Sequence, residues 1–358
     1  MRSRVLATLA VTAVALAPAA PASAYDTLRG IVSVLPDVPE TDSALLRFMN
    51  PALLQGWDIR DWIGVGLIEA ETAAYSPEAA NELVAIDFSA LDGLAQWGWQ
   101  QNTFAYLIGD LDPDAVRDAL LTRPGMEEVP AGDLTVDLPD GLLILAEGED
   151  YATDFEATKD DYPFGGGWKA HRVAVGEAAA LVAFAWPDFE MALEATLDPG
   201  VTETQQLMTA LVEAAAEASP PGFEAYAAAV EPPRYFERAD GTVSEEAALV
   251  PAFDMAMLAG AAGDDWEAAQ IALAYTGVDE AEAAVAALEE RLATGEPVMD
   301  AGAKIASRIS TGGNGIVVAV VSLVFEPGTP DHPSSEWVQR WINESFSGRL
   351  RFMMIAPE

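Results

Sequence analysis

Three segments of the chain repeat one order of apolar and polar positions. Each begins with a short apolar run of strand length, continues through an acidic or proline-containing turn into a stretch with helical spacing, and ends at glycine. These segments are residues 103–125, 179–200 and 271–295. In the third, Ala281, Val285, Leu288 and Leu292 form one apolar stripe. The pattern predicts three strand–helix units.

Shorter patterns between these units predict further strands. Alternating or continuous apolar runs occur at residues 134–138, 142–146, 253–258 and 316–324, and a hairpin is predicted from 172–175 and 180–185. Near the end of the chain, 337–346 has helical spacing and 350–355 is strand-like. The order predicts an α+β fold with antiparallel or mixed sheets, helices packed on one face, and loosely repeated ferredoxin-like β-α-β-β units.

The remaining segments are interpreted by composition. Residues 25–43 are rich in Pro and Asp, which favours an extended segment, whereas the dense apolar residues of 43–75 favour packed helices. Residues 219–233 are Pro-rich and are interpreted as a linker. We therefore expect an N-terminal region over 25–234 and a C-terminal region over 235–358, with one continuous domain as the alternative.

The first 24 residues have the pattern of a secretory signal peptide. Arg2 and Arg4 precede an apolar stretch over 5–16, and Ala22-Ser23-Ala24 is an A-x-A cleavage site. We expect cleavage near Ala24 and export to the periplasm or the cell exterior. No later run is long enough to span a membrane, so no span is predicted in the mature chain.

The absence of cysteine and the negative charge exclude several classes of protein. The chain has 358 residues, a formal net charge of −40 and no cysteine. Disulfide scaffolds, thiolate metal sites and thiol nucleophiles are thereby excluded, and nucleic-acid binding would need a basic patch that is not found. The acidity has three interpretations: a solvated surface suited to a salty habitat, calcium binding, or a cationic partner.

The densest acidic run is residues 147–161, followed by aromatic residues and a triple glycine. We interpret it as an exposed loop and as the best candidate for a binding segment. The predicted ligand-binding residues are Tyr151, Asp154, Asp160, Asp161, Trp168 and His171.

Catalytic and metal motifs fail in detail. Asp110, Asp112 and Asp114 lack the glycine and glutamate of a calcium loop, so Asp112 is expected to cap a helix instead. His171 and His332 are the only histidines, and no G-x-S-x-G sequence accompanies them. The glycines of 312–315 are followed by a strand, which predicts a hairpin turn rather than a phosphate loop.

Export, a sizeable core and the failed motifs favour a non-catalytic cell-envelope or periplasmic protein that binds an unidentified small molecule or protein, without a cofactor or a metal. An exported hydrolase with an unfamiliar carboxylate or histidine site is one alternative. A structural protein stabilised by calcium or salt is another.

Overall fold

The computed structural model describes residues 23–37, 45–54, 83–99, 102–130, 133–139, 141–150, 152, 170–233, 250–263, 266–294, 303–312, 314–326 and 333–346. Within these residues the chain forms six α-helices and twelve β-strands, which confirms the α+β class. No helix in this part combines the length and the apolar content needed to cross a membrane. Backbone contacts divide the chain into two compact units.

Unit 1 comprises Met1–Thr41 and Arg47–Val201, and unit 2 comprises Asp42–Leu46 and Thr202–Glu358. The division therefore passes through strand β1 (Leu45–Met49) and then lies at Val201, earlier than the predicted boundary near residue 235, which stays a prediction.

Unit 1 is built on antiparallel strands that pair in the order β2-β3-β7-β6-β5-β4. Its strands are β2 (Gly93–Trp99), β3 (Asn102–Ile108), β4 (Met126–Glu128), β5 (Leu143–Glu147), β6 (Arg172–Val175) and β7 (Ala179–Ala183). Its helices are α1 (Ala24–Ser33), α2 (Pro113–Leu120) and α3 (Trp186–Leu197), with 3-10 turns at Pro51–Leu54 and Phe88–Ala90. The predicted β6–β7 hairpin is confirmed.

Unit 2 has the antiparallel order β11-β12-β10-β9-β8. Its strands are β8 (Glu224–Glu231), β9 (Met255–Ala262), β10 (Glu267–Tyr275), β11 (Lys304–Thr311) and β12 (Val317–Phe325). Its helices are α4 (Glu203–Ala218), α5 (Val278–Thr294) and α6 (Pro333–Phe346). Strand β12 is paired on both sides and largely buried, as its continuous apolar sequence predicts.

Helices cover both faces of the unit 2 sheet. Nε2 of Gln270 in β10 donates to the carbonyl of Ala215 in α4, at 3.3 Å, and to Oγ of Ser219 just beyond that helix, at 3.2 Å. Glu267, an odd number of positions away on the same strand, accepts from Oγ of Ser334 in α6 at 2.8 Å. Because side chains alternate along a strand, α4 and α6 lie on opposite faces. The expectation of helices on one face is wrong for this unit, and ferredoxin-like units are not confirmed.

Sequence signals explain where several helices begin. Oδ1 of Asp112 accepts from the amides of Asp114 and Ala115 at 3.1 Å, so α2 has the predicted N-cap, followed by Pro113. Helix α4 begins with a capping box in which Thr202 and Gln205 exchange hydrogen bonds.

Three predictions of local structure are wrong. Residues 24–33 are helical rather than extended, Leu45–Met49 is a strand rather than a helix, and β8 lies within the predicted linker 219–233. Residues 134–138 keep the expected alternation of burial but form no strand. The predicted strand at 350–355 and most of the predicted helical region 43–75 lie outside the described residues.

The hairpin turn predicted from residues 312–315 is present, and Trp97 of β2 is part of the core. Trp97 is buried, and its indole nitrogen donates to the carbonyl of Pro36 at 3.0 Å. The amide of Gly312 donates to the carbonyl of Ile316 at 2.8 Å, which closes the expected turn between β11 and β12.

Candidate functional site

A group of charged side chains around the buried His171 and Arg172 lies where two stretches of unit 1 meet. The strands β5 and β6 are antiparallel, and Ala146 is opposite Arg172. Beyond this pair, the amide of Glu147 donates to the carbonyl of His171 at 3.0 Å. The amide of Ala170 donates to the carbonyl of Ala152, also at 3.0 Å. Ala152 and Ala170, the described residues on either side of 153–169, therefore lie next to each other.

Arg172 is the centre of this charged cluster, which we define as Arg123, Glu147, Asp150, His171 and Arg172. The Arg172 side chain is only 1% exposed. Nη1 donates to the carbonyl of Glu147 at 2.7 Å, and Nη2 donates to the carbonyl of Gly148 at 3.2 Å and to Oδ1 of Asp150 at 2.8 Å. One planar guanidinium thus binds three acceptors at the end of β5 and in the turn that follows it.

Asp150 also connects this turn to helix α3. Its Oδ1 accepts from the amide of Trp186, the first residue of α3, at 2.9 Å. Ala185 precedes the helix and provides no side-chain cap. A carboxylate at a helix N-terminus satisfies an amide and interacts favourably with the helix dipole. The Arg172 guanidinium also stacks over the Trp186 ring, with Cζ 5.3 Å from the ring centroid, so Arg172 contacts the first residue of α3 directly.

His171 and Glu147 form the other half of the cluster. Nδ1 of His171 lies 3.0 Å from Oε1 of Glu147, and the imidazole is 1% exposed. An ionised carboxylate only accepts, so Nδ1 carries the proton of this hydrogen bond. Nη2 of Arg123 lies 3.7 Å from the same oxygen. The His171 ring also packs against Phe184, with centroids 5.7 Å apart.

The environment shifts two pKa values in this cluster. Burial raises the pKa of the Glu147 carboxyl, but the hydrogen bond and charge of His171, together with the charge of Arg123, lower it by more, so the pKa lies below its ordinary value. Burial lowers the pKa of the Arg172 guanidinium, and the charges of Asp150 and Glu147 act against that shift. The carboxylate form of Glu147 is therefore the form that the folded unit favours.

Acid is expected to weaken the wild type more than the Glu147→Gln variant. A depressed native pKa adds stability above the unfolded-state pKa, about 4.3 for Glu, and that stability is lost as the pH falls through the native value. Urea unfolding between about pH 6 and pH 3 measures this difference. Glu194→Gln, at an exposed position of α3, is the matched control. Parallel dependence of the unfolding free energy on pH in wild type and Glu147→Gln would contradict the lowered pKa of the Glu147 carboxyl.

The structure places one of the six predicted ligand-binding residues. His171 lies in the charged cluster and is buried, whereas Tyr151, Asp154, Asp160, Asp161 and Trp168 lie outside the described residues. The partners Arg123, Asp150 and Arg172 were not predicted as site residues. A signal for two of them was present, because Arg172 is one of only 18 basic residues and Asp150 belongs to the densest acidic run.

Other candidates for chemistry are placed in part. Among the described residues, no group of three or more acidic or histidine side chains is arranged to hold a metal ion. Oγ of Ser334 is buried and lies between the Tyr226 hydroxyl, at 2.9 Å, and the Glu267 carboxylate, at 2.8 Å. These contacts hold α6 on its sheet. His332 lies outside the described residues.

Comparisons with known proteins give no family for this chain. No protein-family model matches the chain, and no curated protein sequence matches it. The crystal structures found as similar include three forms of TP0453. Form III has 8% identity, covers 86% of this chain and 97% of that one, and has a TM-score of 0.38. Form I has 7% identity, coverage of 88% and 97%, and a TM-score of 0.34. Form IV has 7% identity, coverage of 86% and 99%, and a TM-score of 0.39. At these values the similarity carries no argument about function.

Proposed function

We propose that the chain is an exported, non-catalytic protein of the cell envelope that binds a ligand or partner through residues 151–169. The signal-peptide pattern of residues 1–24 supports export. The acidic and aromatic composition of 151–169 supports binding, and the charged cluster supports a fixed position for the two ends of this segment. The loose ferredoxin-like repetition stays a prediction, and the proposed function does not depend on it.

One observation carries this proposal: the buried Arg172 side chain joins the turn after β5 to the start of α3, directly beside the hydrogen bond between Ala170 and Ala152. A buried, fully enclosed cation is costly unless it is paired and hydrogen-bonded. We therefore infer that the Arg172 guanidinium keeps the residues on either side of the segment 151–169 in one fixed geometry. Binding segments held by a rigid scaffold lose less entropy when they bind.

His171 is a positioning residue in this proposal. With 1% exposure and a hydrogen bond to Glu147, the imidazole has no access to a substrate in the folded unit. A general base must reach the proton that it removes, directly or through one water. This geometry favours a binding protein over a hydrolase that uses His171. Ester hydrolysis lost on His171→Gln, with the fold retained, would reverse this preference.

The ligand chemistry to test first is cationic. Residues 151–169 have four acidic side chains and two lysines, a net charge of −2, so a positively charged group is the electrostatic complement. The probe is a tetralysine peptide added to residues 25–358 at constant ionic strength, with the melting temperature as the readout. Binding to the native state alone raises stability by about 2.7 kcal/mol at a hundred times the dissociation constant.

Two variants with the same charge change test where the probe binds. Asp154→Asn/Asp160→Asn/Asp161→Asn changes the proposed segment, and Asp114→Asn/Asp118→Asn/Asp198→Asn changes exposed acids elsewhere. We expect the first variant to lose the shift and the second to keep it. Equal shifts in both variants, or no shift in the wild type, would overturn the proposal. A shift with calcium but not with tetralysine would favour the calcium-stabilised alternative instead.

A further inference from the structure

We propose that unit 2 binds a second copy of this chain along its edge strand β11, so that two unit 2 sheets join into one antiparallel sheet around a two-fold axis at Ser307. Among the described residues, β11 lies at the end of the strand order and pairs only with β12. An edge strand presents a row of backbone groups with which another strand can pair. This surface is separate from the segment 151–169, and the proposal does not depend on the proposed function.

Strand β11 is long and regular for an edge strand. It has eight residues without proline, and its register with β12 has no bulge. Short length, proline, a bulge or outward charges commonly protect such an edge. The charges on this strand are Lys304 and Arg308, and their side chains pair with Glu326 and Glu217 of their own unit. In the part of the chain that the structure describes, the outer side of β11 is therefore open to pairing.

The hydrogen bonds show which backbone groups of β11 point outward. The amide of Gly312 donates to the carbonyl of Ile316 at 2.8 Å, in continuation of the β11–β12 register. Along an antiparallel strand, every second residue bonds to a given neighbour. The even-numbered residues of β11 therefore bond to β12, and the odd-numbered residues 305–311 direct their amide and carbonyl groups to the open edge.

Charge selects one register for the two copies. With a two-fold axis perpendicular to the sheet, two registers pair seven of the eight β11 residues, with the axis at Ser307 or at Arg308. The axis at Arg308 places two guanidinium groups opposite each other, which is unfavourable. The axis at Ser307 places Ile305 opposite Ile309 and no like charges opposite each other. Its hydrogen-bonded pairs are formed by the residues whose backbone groups point outward.

This register also brings opposite charges together. Lys304 of one copy lies opposite Ser310 of the second copy, in a pair without backbone hydrogen bonds, where side chains are closest. Oγ of Ser310 donates to Oε2 of Glu217 at 3.1 Å, so each Lys304 ammonium comes beside a Glu217 carboxylate of the other copy. Strand β11 has two basic residues and no acidic one, in a chain with a formal net charge of −40. The edge therefore offers cations to a second acidic chain.

Glu289 of α5 determines how the dimer should respond to salt. Its carboxylate accepts from Oγ of Ser307, so two Glu289 carboxylates face each other across the proposed axis. Salt screens this repulsion, because the Debye length falls from about 10 Å at 0.1 M to about 3 Å at 1 M. In sedimentation velocity of residues 25–358, we expect a dimer whose population rises with protein concentration and over this range of sodium chloride.

The absence of native cysteine allows a test of the register. In Ser307→Cys, the two thiols lie across the axis, on residues whose Cα atoms are about 5.5 Å apart, and a short bismaleimide should link them. Thr311→Cys is the matched control, because Thr311 is also exposed on β11 but its two copies would be about 26 Å apart. We expect at least about tenfold less covalent dimer from the control.

A proline at the axis tests the backbone pairing itself. Ser307→Pro removes an outward amide and leaves the hydrogen bonds to β12 in place, so it should abolish the dimer. Ser307→Ala loses the hydroxyl but keeps the amide, and it should still form the dimer. If Ser307→Pro does not fold, the two cysteine variants still test the proposal.

A monomer at every protein and salt concentration, or equal cross-linking of the two cysteine variants, would overturn this proposal. So would a dimer that Ser307→Pro leaves intact, because that dimer would use another surface. Slow hydrogen exchange of the outward β11 amides in a monomer would also overturn it. That result would show that the chain covers its own edge, for which the predicted strand 350–355 is the first candidate. None of these results affects the binding proposed for residues 151–169.

Discussion

Replacing Arg172 by Met is expected to lower the free energy of unfolding by about 2 kcal/mol or more, because it removes a buried guanidinium from two backbone carbonyls and from the 37% exposed Asp150 carboxylate. The carbonyls of Glu147 and Gly148 lose their donors, and Asp150 loses its cation beside the N-terminus of α3. Arg172→Lys keeps the charge without the planar fork, so it should recover only part of the loss.

Urea unfolding monitored by circular dichroism measures this effect. The matched control is Arg117→Met, which removes an arginine whose side chain is 33% exposed and pairs with Asp114 and Asp118 on the surface of α2. Exposed pairs contribute about 0–1 kcal/mol, so the control should change little. Equal losses in the two variants would contradict the role assigned to Arg172.

Replacing Gly260 by Ala is expected to cost about 3 kcal/mol, near the upper end for overpacking a core. A Cβ at Gly260 would lie 2.1 Å from Cζ of Tyr226 and 2.3 Å from its hydroxyl oxygen. That ring is completely buried, and its hydroxyl is hydrogen-bonded to Ser334 in α6. The ring therefore has little freedom to move aside, and either β9 or α6 must shift.

A double-mutant cycle tests this contact. Gly260→Ala should cost clearly less in a Tyr226→Ala background than in the wild type, because the clashing ring is gone. Gly30→Ala is the control for the same chemical change, and it should raise stability by up to about 1 kcal/mol at a helical position with open space. Additive effects of the Gly260 and Tyr226 changes would show that the ring contact is not the cause.

The spacing of apolar residues correctly predicted those helices and strands whose local sequence pattern matches their burial in the folded protein. In α5, the residues Ala281, Ala284, Leu288 and Leu292 are buried, close to the stripe expected from the sequence. Strand β12 is apolar except for Ser322 and is largely buried, and the predicted β6–β7 hairpin turns at Gly176. In these elements, neighbours along the chain determine the structure, and tertiary packing adds to the same preference.

The wrong predictions arise where composition and packing disagree. The proline and aspartate residues that suggested an extended segment over 25–43 lie mostly after α1, whose buried side chains Tyr25, Leu28, Ile31 and Val32 have helical spacing. In β8, an alanine-rich sequence between prolines resembles a linker, yet the strand is buried because β9 pairs with it. Alanine has little preference for strands, so tertiary pairing decides.

Residues 134–138 show a different limit. Leu134, Val136 and Leu138 are half-buried and alternate with exposed residues, as predicted. The amide of Thr135 bonds to the Glu190 carboxylate of α3, at 3.4 Å, rather than to a neighbouring strand. Alternation reports that one side of a segment is covered, and it does not identify what covers it.

The charged cluster was predictable only in part. A single acidic run and a rare basic pair, His171 and Arg172, indicated this part of the chain. The sequence could not show that Asp150 would reach the amide of Trp186, because that contact joins residues 36 positions apart. Nor could the sequence show that His171 is buried. Because of this burial, we interpret His171 as a residue that positions its neighbours rather than one that contacts a ligand.

Hydrogen exchange at the amides of Ala170 and Ala152 tests the central claim most directly, because their hydrogen bonds lie at the two ends of the segment that the charged cluster is proposed to hold. In the wild type we predict slow exchange at both amides. In Arg172→Met we predict faster exchange there and unchanged exchange in β9 and β10 of unit 2. Fast exchange at both amides in the wild type, or no local change in Arg172→Met, would contradict the claim.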